Sequence, residues 1–359
     1  MKKIIFVFSA LFISWCLINI VNAQQDKTGN KYFDWSYNLD INNPADNPNM
    51  KKLSLVKVKG SRFVNMQGDT ILFRGVAIAD PDKLDQQRHW NKTLFVKVQE
   101  FGTTIVRIPI HPAAWRARTP SKYLLLLDQA VSWCTDLGLY VIIDWHSIGN
   151  LGMELFQDPV YNTTQKETYE FWRIISAHFK GNNTIAFYEI FNEPTLAGGM
   201  LGSMSWSEWK KINENIIHLI RAYDNEKIPL VAGLDWAYDL TPLHIEPIEA
   251  DGIGYVTHPY QLKRRPPYEP KWDEDFGFAA DRYPVVATEF GLSLGKQSRE
   301  GSAEYGKAII TYLENKKMSW ICWVFDPEWY PRLIESWDTF KLTESGEFFR
   351  QALLRKNKK

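Results

Sequence analysis

A single α/β barrel of eight parallel strands, each followed by a helix, is the fold class this sequence predicts. Three observations carry that reading. Short apolar runs alternate with helical patterns over roughly 280 residues, the usual size of a (β/α)8 or TIM barrel. No Gly-x-Gly-x-x-Gly turn follows any of the runs, which argues against a doubly wound dinucleotide-binding sheet. Two of the runs end in a glutamate, Glu193 and Glu289, at the strand end where barrels build their sites.

Along the chain, Met1-Lys2-Lys3 and the apolar stretch to Val21 read as an export signal, with Val21-Asn22-Ala23 as its cleavage site. Residues 1–23 are therefore expected to direct export, to the medium, the periplasm or the cell surface. Trp15 before Cys16 is too bulky for lipoprotein processing. Residues 24–50 are polar and read as an exposed leader, and 51–359 as one domain. Leu53–Val58 and Phe63–Phe73 read as a short β-hairpin before the barrel. The expected barrel strands are Arg74–Ala79, Thr104–Ile110, Leu139–Trp145, Ile185–Asn192, Pro229–Leu234, Gly252–Thr257, Pro284–Phe290 and Ser319–Phe325. Helical periodicity falls between them, as at Ser121–Leu137, Gln165–Phe179, Ser205–Tyr223 and Gly301–Lys316.

Composition narrows the partners. Lys+Arg and Asp+Glu balance at 42 each, so no net field draws the protein to nucleic acid or to an anionic membrane. Aromatic content is 14%, including 15 Trp, which suits a neutral ligand with apolar faces, such as a sugar. Cys134 and Cys322 have neither disulfide nor metal-ligand spacing and are expected to be buried free thiols. The seven histidines are too dispersed to indicate a metal site, and no cofactor is implied. Gly291-Leu292-Ser293-Leu294-Gly295 matches a nucleophile elbow, but no histidine lies downstream of Ser293, so an esterase is rejected.

The strand ends carry Arg107, His146, Asn192 with Glu193, His258 with Tyr260, Glu289 and Trp323. Each alone has an ordinary structural reading; jointly they place polar and aromatic groups at one mouth of a barrel. Strand alternation puts Ile105, Arg107 and Pro109 on one face, Glu189, Phe191 and Glu193 on another, and Ile321, Trp323 and Phe325 on a third. Arg107 then points inward, where a buried cation needs a carboxylate from Glu289 or Glu189. Glu189 sits about 13 Å below Glu193 at ~3.3 Å per residue, too far to be its catalytic partner, and reads as structural. Two converging carboxylates meet the requirement for cleaving a glycosidic bond.

In these residues the chain closely resembles glycoside hydrolase family 5. The matching stretches, in family order, are Val106-Arg107-Ile108-Pro109, Ile142-Ile143-Asp144-Trp145-His146, Tyr188–Pro194, His258-Pro259-Tyr260, Thr288-Glu289-Phe290-Gly291 and the strand of Trp323. The resemblance implies a retaining mechanism with Glu289 as nucleophile and Glu193 as acid and then base. It also implies that Asn192 bonds the sugar 2-hydroxyl, that Tyr260 orients Glu289, and that His146 and His258 contact hydroxyls or tune the acid. Trp323 becomes the floor beneath the ring being cleaved. Arg107 is expected to favour the charged form of Glu289. The expected activity is that of a monomeric endo-β-1,4-glucanase on a polysaccharide or oligosaccharide. A β-mannanase, a xyloglucanase, an exo-acting β-glucosidase and a barrel that binds polysaccharide without cutting it are the alternatives. The loops Ser147–Gln165 (with Met153, Phe156 and Tyr161), Gln261–Phe278 (with Tyr268 and Trp272) and Asp326–Tyr330 (with Trp329 and Tyr330) are candidate cleft walls, as is Trp236, and Lys263–Arg265 is expected to be a solvated loop face. The first strand ends in Ala79-Asp80-Pro81 and Ser147 follows His146, both departures from common relatives.

Overall fold

The computed structural model describes residues 53–195, 201–295 and 301–357. The expected signal and leader lie outside them. The chain enters through three short antiparallel strands rather than a two-stranded hairpin: β1 (Lys57–Lys59), β2 (Arg62–Val64) and β3 (Thr70–Ile71). The expected second arm divides at the turn Asn65–Asp69, where the Asn65 side chain accepts from the Gln67 and Asp69 amides.

Eight parallel strands then close a barrel. They are β4 (Arg74–Ile78), β5 (Ile105–Ile110), β6 (Tyr140–Trp145), β9 (Ile185–Glu189), β11 (Ile228–Ala232), β12 (Gly254–Thr257), β13 (Val285–Ala287) and β14 (Ser319–Phe325), with β14 returning to pair with β4. A second small sheet sits above the mouth, made of β7 (Ile148–Asn150), β8 (Leu155–Phe156) and β10 (Glu193–Pro194). The surrounding helices include α1 (Pro81–Gln86), α2 (Lys92–Glu100), α3 (Pro112–Arg118), α4 (Pro120–Leu137), α5 (Gln165–His178), α6 (Trp206–Tyr223), α7 (Glu269–Asp275), α8 (Ala303–Asn315) and α9 (Glu344–Lys356).

Local chemistry explains the helix limits. Ser205 and Glu208 form a capping box that satisfies free amides at the start of α6. Gly138, at φ 74°, closes α4 in the left-handed conformation that a side chain disfavours. Along α6, Trp209, Ile212, Ile216 and Ile220 recur at helical spacing and are buried, so one stripe packs inward. No helix among the described residues is long and apolar enough to cross a membrane.

The barrel core is layered. At its floor, Phe63 from the entry sheet packs edge-on to Phe187 with ring centres 4.7 Å apart, and Phe73 meets Phe187 at 5.3 Å. Ala77, Ile105, Ile142, Leu230, Val256, Val286 and Ile321 belong to the same buried cluster. Polar groups then take over toward the strand C-termini, so the apolar plug forms the base on which the site stands. Cys134 and Cys322 are buried free thiols, as expected.

Two expected faces are corrected. Regular strand geometry in β9 stops at Glu189, and the next residues turn; Phe191 therefore packs outward on Trp209 of α6, at 5.5 Å, while Asn192 points inward to Arg107. In β14 the register shifts between Cys322 and Phe325, where the Trp323–Val324 peptide is cis. Ile321 and Trp323 remain inside, but Phe325 faces the helix layer against Phe101 and Phe340. Period-two alternation holds only while the ladder is regular.

Candidate active site

Arg107 organises the mouth of the barrel. Register places Pro109, Asp144 and Glu189 level with one another on β5, β6 and β9, and Arg107 one pleat below reaches up among them. Its Nε and Nη2 donate to the two oxygens of Glu189 at 2.8 and 2.9 Å, its Nη1 to Glu289 Oε2 at 2.9 Å, and Nη2 also to Asn192 Oδ1 at 2.6 Å. Asp144 Oδ2 lies 3.0 Å from Nη2. Both carboxylates named from sequence thus bind Arg107, together with a third, Asp144. Burying a lone guanidinium would cost several kcal/mol, and this ring of acceptors offsets it. Burial alone would lower the Arg107 pKa, but Asp144, Glu189 and Glu289 raise it, so its charge is permanent.

Arg107 favours the charged form of Glu289, as expected, but it does not set the net direction. Burial raises the pKa of Glu289, Glu193 raises it further, and His258, Arg107 and Tyr260 only partly oppose this. The net direction is upward, because one cation divided among three acids cannot cancel desolvation of all of them. Glu189, which takes two of the guanidinium bonds, ends well below the usual carboxylate range despite its burial. Asp144 is pushed far up, by burial first.

All eight site residues chosen from sequence meet here. Tyr260 donates to Glu289 Oε1 at 2.8 Å, so each oxygen of Glu289 has its own partner. Glu193 stands on β10, one turn beyond the end of barrel strand β9; its amide donates to Ser147 O, and Oε1 lies 2.9 Å from His258 Nδ1. His258 Nε2 lies 3.0 Å from Thr288 Oγ1, which donates to Glu189 Oε1 at 2.8 Å. His146 Nδ1 lies 2.7 Å from Asp144 Oδ2. Burial, followed by the nearby His111, Arg107 and His258, holds His146 neutral, well below its ordinary pKa. The Trp323 ring lies parallel to His146 at 5.4 Å and to Trp329 at 5.6 Å. One ligand atom each from Glu193, His258 and Glu289 lie within 4.8 Å of one another. A metal fits this trio poorly, because Arg107 and the His258 ring already bring positive charge against the two glutamates.

These groups open into a cleft of about 1190 Å³. Trp329, Tyr330, Lys83 and Gln87 line one part of it, and Trp236, Leu262, Gln157 and Tyr161 another. Trp236 is presented by three consecutive left-handed residues, Asp235 to Ala237, and its indole N–H donates to Gln157 at 3.0 Å. Lys263 also lines the cleft, bonded to Asp235 and lying over the Trp236 ring, so the basic loop is not simply a solvated face. Trp272 is no cleft residue: it is 1% exposed and packs on Tyr268, Tyr305 and Tyr312. Ser147 ties the loop to the mouth through the Tyr161 carbonyl. His111 escaped the sequence reading, although continuing the Arg107, Pro109 alternation by one step points to it; it lines the cleft beside His146.

The electrostatics give a pH expectation. Burial alone would lower His258, but Glu189, Glu193 and Glu289 raise it from 6.5 to about 9. Its contribution to stability is fully present below pH 6.5 and is lost as pH rises through about 9, a difference on the order of 3 kcal/mol. The thermal midpoint is expected to decline across that window in the wild type and to decline less in His258→Gln. Equal slopes in the two proteins would exclude this charge.

Comparison with known proteins agrees with the geometry. The family model for cellulase (glycosyl hydrolase family 5) matches residues 64–328. A β-glucanase of Saccharophagus degradans is 45% identical, with a TM-score of 0.83 over 86% of this chain and 95% of that one; it has also been crystallised with cellotetraose. Endoglucanase E-5 of Thermobifida fusca is 24% identical over 86% of this chain, and endoglucanase A of Butyrivibrio fibrisolvens 25% identical over 61%. The chain spans 66% and 48% of the lengths of those two relatives. With most of its sequence matched and a closed eight-stranded barrel beneath the match, the chain belongs to glycosyl hydrolase family 5, the cellulase family.

Proposed function

We propose that this protein is a retaining endo-β-1,4-glucanase, with Glu289 as nucleophile and Glu193 as acid and then base. The observation that carries the reading is the approach of Glu193 and Glu289 oxygens within 4.8 Å. Retaining enzymes hold their carboxyl groups about 5–5.5 Å apart, whereas inverting ones leave roughly 6.5–9.5 Å for a water.

Each partner suits one step. Arg107 and Tyr260 aim Glu289 at the anomeric carbon and hold one oxygen each, so the carboxylate attacks from a fixed orientation. Glu193 Oε1 and His258 Nδ1 share one proton across 2.9 Å. With that proton on the oxygen, Glu193 protonates the leaving glycosidic oxygen; once released, Glu193 accepts a proton from the water that attacks the glycosyl–Glu289 ester. Ester formation also removes the negative charge of Glu289, which eases ionisation of Glu193. Asn192 Oδ1 is occupied by Arg107, and its amide nitrogen is buried without a protein partner, free to donate to a sugar 2-hydroxyl. His146 and Trp323 line the same pocket, as a hydroxyl contact and a ring floor.

The cellotetraose complex of the Saccharophagus relative supports β-linked glucose as the substrate class. Residues 1–23 support export, and we take the working unit to be a monomer. Hydrolysis of cellulose-type and mixed-linkage glucan, mannan, xyloglucan and xylan, followed by proton NMR of the nascent anomer, tests the reading. The expected result is preference for glucan with β-anomer released first. An initial α-anomer would rule out retention, and preference for mannan or xylan would rule out the substrate.

A further inference from the structure

We propose that His111 is a further substrate-binding residue, set by Asp80 to accept a hydrogen bond from a hydroxyl of the sugar unit next to the one being cleaved, on the side away from the leaving group. This rests on the glucanase reading above. Asp80 closes the first barrel strand's exit and is 1% exposed. Both of its oxygens act as acceptors: Oδ1 accepts from the Asp82 amide at 2.7 Å and the Tyr123 hydroxyl at 2.8 Å, and Oδ2 from the His111 amide at 2.8 Å. The remaining contact, His111 Nδ1 at 3.0 Å from Oδ2, must therefore be a fourth donor. In the tautomer that carries its proton on Nδ1, Nε2 holds a lone pair and is the ring's acceptor. No described residue bonds Nε2, and the residue lines the cleft.

The surroundings suit a sugar. The ring is fixed edge-on to His146 at 5.0 Å and to Trp329 at 5.3 Å, and lies 5.6 Å from Tyr161. Trp329 is itself held in place by Lys83, whose ammonium lies 5.3 Å from its ring centre. An aromatic face beside a fixed acceptor is the pairing that reads a pyranose, whose axial C–H groups stack while equatorial hydroxyls donate sideways. The side follows from connectivity. The Trp236 amide donates to the carbonyl of Pro194, next to Glu193, so that wall borders the leaving oxygen. His111 and Trp329 stand against His146 and Trp323 instead.

The test is calorimetric binding of cellotetraose to the full chain carrying Glu289→Ala, which removes turnover. In His111→Asn the side-chain amide can still donate to Asp80 from the Nδ1 position, but nothing replaces Nε2. Affinity is expected to fall about 5- to 10-fold, the worth of one hydrogen bond. His111→Gln, whose amide reaches the Nε2 position, is expected to recover about half of that loss on a logarithmic scale. Unchanged affinity in the Asn variant overturns the inference, and so does an equal loss in both variants, with or without a shared drop in melting temperature. A Glu289→Ala protein that binds no cellotetraose overturns the glucan reading as well, whereas binding that ignores His111 overturns this inference alone.

Discussion

Replacing Glu289 with alanine is expected to lower kcat/KM on glucan by at least about 10⁴-fold, a loss of roughly 5.5 kcal/mol in transition-state stabilisation. Loss alone would not identify a nucleophile, because removing any group bound to Arg107 disturbs the site. Rescue does. In Glu289→Ala the vacated space still faces the Arg107 guanidinium and the Tyr260 hydroxyl, which bind the two Glu289 oxygens in the wild type. A small anion such as azide can occupy that space and attack the anomeric carbon of an activated aryl β-glycoside. The expected product is the α-glycosyl azide, with configuration inverted by a single displacement. Arg107 keeps Glu189, Asp144 and Asn192 as partners, so the barrel should retain its fold. A β-configured azide, or no rescue with a folded protein, would remove Glu289 from the nucleophile's role.

Glu193→Gln is expected to separate substrates by leaving group. General acid catalysis supplies typically 10²- to 10⁴-fold, so kcat/KM on cello-oligosaccharides, whose leaving alkoxide is strongly basic, should fall by about that factor. On a dinitrophenyl glycoside, whose leaving group needs no proton, kcat/KM should change by less than about 5-fold. The amide oxygen of glutamine still faces His258 Nδ1, so the local bonds survive the change. The turnover number on the activated substrate should nevertheless drop, because the second step has lost its base. Equal losses in kcat/KM on both substrate types would exclude Glu193 as the acid.

Much of this arrangement was legible from residue order, and the reasons are local. A strand is readable wherever β-branched and aromatic residues run for five or six positions between turn formers, as at Ile105–Ile110 and Ser319–Phe325. Its inward face follows from alternation, which points Arg107 into the barrel. Alternation failed where the ladder ended or slipped. Phe191 and Phe325 turned outward, and Glu193 stands on the short sheet beyond the barrel rather than on β9. His111 was missed because the strand reading stopped at Ile110, one residue before the side chain that reaches the cleft. Trp272 looked like a cleft wall because aromatic content alone does not distinguish a surface from a core.

The residue order by itself determined the barrel, the inward Arg107, and the two glutamates at the exits of their strands, because each depends on neighbours within a few positions. Only the tertiary structure decided how charge is divided. Arg107 bonds residues 82 and 182 positions away and lies 3.0 Å from Asp144, and Thr288 links His258 to Glu189. Whether Glu289 is raised or lowered then depends on burial against several partners at once. That sum runs over distances in space, which spacing along a chain does not contain.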